Sequence, residues 1–91
     1  MNKPIKLNKP INDINSLLNK FILYEYKEGS LYLYYIYKTD NSNNIFVYNI
    51  FYNRKREVVY SVWWNLNLNI INSHIYNTFL NDCCSYEMYM L

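Results

Sequence analysis

The chain has 91 residues, of which 52% are hydrophobic and 20% aromatic, and its formal net charge is +2. This length predicts one domain with a modest core, and the apolar content excludes an intrinsically disordered chain. The sequence has no signal peptide and no run of about 18 or more apolar residues, so we expect a cytoplasmic protein with reduced cysteines.

Four residue types dominate the composition. Asn (16), Tyr (12), Ile (10) and Lys (7) together fill 45 positions, whereas Ala and Gln are absent and Gly occurs once. The four abundant types have AT-rich codons. The bias therefore predicts an AT-rich source genome, of which viral and phage genomes are examples.

Residues 1–11 contain a short repeat, Asn2-Lys3-Pro4-Ile5 and Asn8-Lys9-Pro10-Ile11. Each proline disfavours helix at the residue before it. We predict an extended basic arm over residues 1–11, followed by a single domain over residues 12–91. The arm either lies on an acidic partner or a phosphate backbone, or is a solvated tail.

The next apolar residues recur at helical spacing and form one stripe: Ile14, Leu17, Leu18, Phe21 and Ile22. With Asn12 or Asp13 as its cap, this stripe predicts a short N-terminal helix. A second apolar series near residues 71–79 predicts a C-terminal helix.

Four strands are predicted between the two helices, from runs rich in Tyr, Ile, Val, Phe and Trp that polar turn residues separate. They cover residues 21–27, 31–38, 45–53 and 57–66. Because the connections are short, the strands should form a meander. The predicted fold class is therefore α+β, with a four-stranded antiparallel meander sheet flanked by an N-terminal and a C-terminal helix.

The two middle strands are apolar or aromatic on both faces, so both faces of the sheet need cover. If both helices lie on one face, the other face exposes an aromatic patch; with one helix on each face, the same side chains are core. The predicted patch contains Tyr24, Tyr32, Tyr34, Tyr48, Tyr52 and Trp63. Tyr and Trp are enriched among binding hot spots, which predicts a partner-binding surface.

Arg54, Lys55 and Arg56 form the one dense cluster of charge, at the tip of a predicted hairpin. The cluster can enter an acidic cleft or contact a phosphate backbone. It can also be a solubilising turn between two hydrophobic strands. We include these three residues among the predicted partner-binding residues.

Catalytic and metal sites have little support. His74, the only histidine, shares a predicted helix face with Thr78 and Asp82, and Cys83 follows. However, adjacent Cys83 and Cys84 lack the usual zinc-ligand spacing, and one glycine cannot build a phosphate-binding loop. We therefore predict no catalytic residue, no metal site and no cofactor.

These patterns predict a non-enzymatic protein that binds a macromolecular partner, and they favour another protein as that partner. Size and codon bias suggest a stoichiometric inhibitor of a host protein, such as a defence nuclease. The alternative is a nucleic-acid-binding or structural subunit of a ribonucleoprotein or virion, because sheet aromatics can stack bases beside a basic loop. A homodimer would also cover the second face. We expect no membrane partner.

Overall fold

A computed structural model describes residues 3–80 and 84–91 of the chain. In it, an α-helix packs on one face of an antiparallel sheet. The described strands are β1 (Ile5–Lys6), β2 (Phe21–Tyr26), β3 (Leu31–Thr39), β4 (Asn44–Tyr52), β5 (Val58–Asn67) and β6 (Tyr86–Met90). The helix α1 (Leu68–Leu80) directly follows β5, and a 3₁₀ helix (Ile14–Leu17) precedes β2.

The strands lie in the sheet in the order β1-β6-β2-β3-β4-β5. β2 to β5 are neighbours in chain order because short turns connect them, whereas β6 returns after α1 to pair with β2 on one side and β1 on the other. All of these pairings are antiparallel. The sheet is therefore bounded by the two-residue β1 and the ten-residue β5.

The predicted four-stranded meander flanked by two helices is wrong: the described sheet has six strands and a single α-helix. The predicted N-terminal helix is one 3₁₀ turn. Asp13 caps it by accepting from the Asn15 amide at 3.0 Å, but Leu18 is already extended and Asn19 has a φ of 62°. These two residues end the turn, so Phe21 and Ile22 belong to β2 instead of a helical stripe.

The predicted arm and the last residues of the chain meet in the sheet. Ile5 and Lys6 pair with Met90 and Tyr89, and the Leu7 amide donates to the Met88 carbonyl at 2.9 Å. The sequence prediction missed β6 altogether. Its pairing partners are too distant along the chain for a local pattern to indicate them.

Cross-strand partners project from the same side of a sheet, so the register assigns every strand residue to a face. We call the side covered by α1 the helix face and the opposite side the outer face. Every buried strand residue lies on the helix face: Ile22, Tyr24, Ile36, Ile45, Val47, Asn49 and Met88. Leu68, Ile71 and Ile75 of α1 complete this core, together with Leu17 from the 3₁₀ turn.

The segment that precedes the 3₁₀ turn lies on the same face as α1. The Ile11 amide donates to Asn72 Oδ1 at 2.7 Å, and Asn72 Nδ2 donates back to the Ile11 carbonyl at 3.0 Å. Both helical segments therefore cover one face, and none of the described strand residues on the outer face is buried. Within residues 3–80 and 84–91, no helix is long and apolar enough to cross a membrane.

Candidate functional site

The most unusual surface is the edge strand β5, which, among the described strands, pairs only with β4. Its residues carry no charge, and large apolar side chains are exposed on both of its faces: Val58, Val59, Tyr60, Val62, Trp63 and Trp64. Trp63 is 65% exposed and Trp64 57%. Native edge strands are normally blocked by charges, prolines or covering elements. β5 therefore offers an unpaired backbone and apolar side chains together.

The outer face continues this apolar surface across the sheet. Tyr48 lies beside Trp63, with ring centroids 4.6 Å apart, and Tyr37 meets the same indole edge to face at 5.1 Å. The Lys38 ammonium lies 5.0 Å from the centre of the Phe46 ring. Half-buried apolar side chains extend the surface to the middle strands: Leu31, Leu33, Tyr35, Ile50 and Tyr52.

The predicted aromatic patch does not lie on a single face. Tyr48, Tyr52 and Trp63 are on the outer face, whereas Tyr32 and Tyr34 are on the helix face. Tyr24 is also on the helix face, where it is only 3% exposed. The prediction grouped these residues because the aromatic runs are continuous, but alternate residues of a strand point to opposite faces.

The basic hairpin tip lies at the start of β5. Asn53 organises the turn, because its Oδ1 accepts from the amides of Lys55 and Glu57 at 2.9 and 3.0 Å. Arg56 takes a φ of 65°, and its guanidinium donates to the carbonyl of Gly29 in the neighbouring β2–β3 turn. Arg54, Lys55 and Arg56 are all exposed. Through its contact with Gly29, Arg56 also joins the two turns.

A cleft of about 450 Å³ opens on the helix face between α1 and β5. The aromatic side chains that line it are Tyr24, Tyr26, Tyr32, Tyr34, Tyr60 and Trp64, and the remaining lining residues are Asn49, Val62 and His74. Lys, Arg, Asp and Glu do not occur in this described lining. The sequence prediction missed Tyr60, Trp64 and Asn49; the absence of charge throughout residues 58–67 was the available signal for β5.

Tyr24 and His74 form the most buried polar contact in this cleft. The Tyr24 hydroxyl lies 2.6 Å from His74 Nδ1. Burial raises the pKa of Tyr24 far above its ordinary value and lowers the pKa of His74. Both groups are therefore uncharged at neutral pH. A phenol that donates to Nδ1 leaves the imidazole proton on Nε2.

Asn49 is the one buried polar side chain of the cleft without a complete set of partners in the described structure. Its side chain is on the helix face of β4, and the residue is 6% exposed. Its Oδ1 accepts no hydrogen bond from any described group. An unpaired buried acceptor costs about 1–3 kcal/mol of folding free energy. A ligand that donates a hydrogen bond to Asn49 would offset this cost.

No metal site is present among the described residues, since no three His, Cys, Asp or Glu side chains come together there. Thr78, which the sequence grouped with His74, donates to the Ile75 carbonyl of its own helix at 2.7 Å. Asp82 and Cys83, the other members of that group, lie outside the described residues. Cys84 is half-buried and is not in a disulfide.

In comparisons with known proteins, the chain matches no protein-family model, no curated protein and no solved structure.

Proposed function

We propose that this protein is a non-enzymatic binding module whose partner is another protein, and that β5 is the centre of its binding surface. The observation that carries the proposal is the exposed edge of β5. An extended segment of a partner can add to this edge as a further strand, with backbone hydrogen bonds providing affinity. The side chains on both sides of the strand then provide specificity.

Two neighbouring features extend the surface in ways that suit protein recognition. On the outer face, Trp63 and Tyr48 give rigid contact area at a small cost in side-chain entropy. At the start of β5, Arg54 and Lys55 add positive charge that would favour an acidic rim on the partner. The binding surface therefore combines an apolar centre with a charged margin.

The nucleic-acid alternative has weaker physical support. Arg54 and Lys55 share their groove with Glu28 and Glu57, and a single described cation, Lys38, lies over an aromatic ring of the outer face. A surface that follows a phosphate backbone needs a stripe of several cations. Inhibition of a defence nuclease stays a prediction, because it was based on size and codon bias alone.

The test compares two double variants that add the same charge to equally exposed apolar residues. V59K/W63K changes two β5 residues that are 54% and 65% exposed; Y76K/F79K changes two α1 residues that are 58% and 64% exposed. Each protein is immobilised and used to capture partners from extracts of cells that express it, after nuclease digestion. Light scattering on a sizing column gives the solution mass of each.

We expect wild type and Y76K/F79K to retain the same protein at near-equimolar amount, and V59K/W63K to lose it while keeping its circular dichroism spectrum. A dimer that only V59K/W63K dissociates would identify the partner as a second copy. Three outcomes contradict the proposal. They are equal capture by all three proteins, a partner lost on nuclease digestion, and a monomer that captures nothing.

A further inference from the structure

We propose that the cleft between α1 and β5 is a binding site for an uncharged planar heterocycle of the nucleobase type, with the Asn49 carboxamide pairing with its amino edge. This inference does not depend on the proposed function, because the ligand lies in a cleft on the helix face whereas the proposed partner adds at the edge of β5; the two surfaces share only the helix-face side chains of β5.

The volume and the walls fit a ligand of this kind. A cleft of about 450 Å³ lies within the usual range for small-molecule sites. Tyr60 and Trp64 are on the same face of β5, so their rings line one side of the cleft, and His74 of α1 lines the other. Aromatic side chains held on a sheet are the usual stacking platform for bases.

The floor supplies the hydrogen-bonding group. Asn49 is more than nine-tenths buried, lines the cleft, and has a side-chain oxygen with no partner among the described residues. A rotation of the carboxamide about its last bond would bring its oxygen to the opening beside its nitrogen, so that one group accepts and the other donates. A carboxamide matches an edge with a donor next to an acceptor, which is how Asn recognises the amino group and N7 of adenine.

The charge of the lining selects an uncharged ligand. Among the described residues that line the cleft there is no Lys, Arg, Asp or Glu. Burial raises the pKa of Tyr34 to about 12, so its hydroxyl stays protonated beside the uncharged Tyr24 and His74 pair. The cleft therefore offers hydroxyl and imidazole groups to a polar heterocycle, and no cation to a phosphate.

The experiment is a fluorescence titration with adenosine, guanosine, cytidine and uridine. It uses W63F, which leaves Trp64 in the cleft as the single tryptophan and alters only the outer face. We expect adenosine to quench Trp64 saturably, and N49L in the W63F background to weaken its binding by about tenfold or more. Y60L in the same background provides a second test, because Tyr60 is exposed and its loss removes a stacking wall.

Leucine has the same number and branching of side-chain heavy atoms as asparagine and needs no hydrogen bond, so N49L should fold with a thermal midpoint close to that of wild type while losing the ligand. No saturable quenching by any nucleoside at about 1 mM overturns the proposal. Equal affinities of W63F, N49L/W63F and Y60L/W63F also overturn it.

Short oligoadenylates distinguish a free nucleoside from a base within a strand. An oligomer that binds more tightly than adenosine, and that N49L weakens, supports base recognition and assigns the base to single-stranded nucleic acid. Binding of adenosine that the oligomer does not improve supports a free ligand. Salt-sensitive oligomer binding that N49L leaves unchanged, without adenosine binding, overturns the proposal.

Discussion

The hydrogen bond between Tyr24 and His74 joins the middle of the sheet to α1. The two rings meet edge to face, with centroids 5.5 Å apart, and Tyr86 packs beside both. Burial keeps the imidazole uncharged in the folded protein. This hydrogen bond therefore links β2 to α1, and protonation of His74 at lower pH would weaken it.

We expect stability to fall as His74 becomes protonated. Its folded pKa is below its ordinary value of 6.5, so between these two values the unfolded chain binds a proton that the folded protein does not. The free energy of unfolding then decreases as pH falls through 6.5. Thermal melts from about pH 7.5 to about pH 5 should show a declining midpoint in wild type and a flatter profile in H74Q.

Glutamine is the matched replacement because its side-chain oxygen can still accept from Tyr24 but does not titrate. Two carboxylates with local hydrogen bonds do not interfere in this range. Hydrogen bonds from Ser30 and Asn44 lower the pKa values of Glu28 and Asp40 below their ordinary values of 4.5 and 3.8, so their contributions are lost only as pH falls through and below these values. Parallel profiles for wild type and H74Q would show that His74 is as exposed when folded as when unfolded.

At the scale of elements, the junction between β5 and α1 depends on one side chain. Asn67 ends the strand, and its Oδ1 accepts from the Asn69 amide at 2.9 Å, as a helix N-cap does. The Leu68 amide donates to the Asn43 carbonyl at 2.8 Å. The helix therefore begins directly at the end of the strand, with its first amides already paired.

Removal of this cap should destabilise α1. We expect N67A to lower the free energy of unfolding by about 1 kcal/mol, measured by urea denaturation. N65A is the control, because Asn65 is on the same strand, is exposed, and lies before the junction. Equal losses in the two variants would mean that the N67A effect arises from β-propensity and not from capping.

The sequence allowed good prediction of the strands that short turns connect. Alternation and turn residues predicted strands over residues 21–27, 31–38, 45–53 and 57–66, each within one residue of the bounds of β2 to β5, because hairpin pairing is local. The same patterns failed for β6, whose pairing with β1 joins residues about 80 positions apart. They also failed for the N-terminal stripe, where Leu17 is core but the backbone leaves the helix one residue later.

The candidate surfaces were less predictable than the strands because they depend on which face is covered. On β4, the row Ile45, Val47 and Asn49 is buried, whereas the more aromatic row with Phe46 and Tyr48 faces outward. Composition alone favours burial of the aromatic row. The arrangement follows from where α1 and the 3₁₀ turn pack, and no local pattern encodes that choice.

At the scale of the whole molecule, the fold is completed by its last strand. β6 fills the position between β1 and β2, and Met88 is fully buried there, whereas Met90 on the same face is half-buried. Met88 lies opposite Tyr24 of the neighbouring strand β2. Without β6, β2 would become a free edge and the helix-face core would lose one of its walls.

We therefore expect M88A to be far more destabilising than M90A. Removal of a fully buried methionine side chain costs about 2–5 kcal/mol, a large share of the roughly 5–15 kcal/mol that stabilises a domain. Guanidinium unfolding followed by tryptophan fluorescence measures both variants from signals in β5, at the far edge of the sheet. If M88A lowers the midpoint of a single cooperative fluorescence transition, β6 and β5 unfold together. Equal midpoints for M88A and M90A would instead place β6 outside the cooperative core.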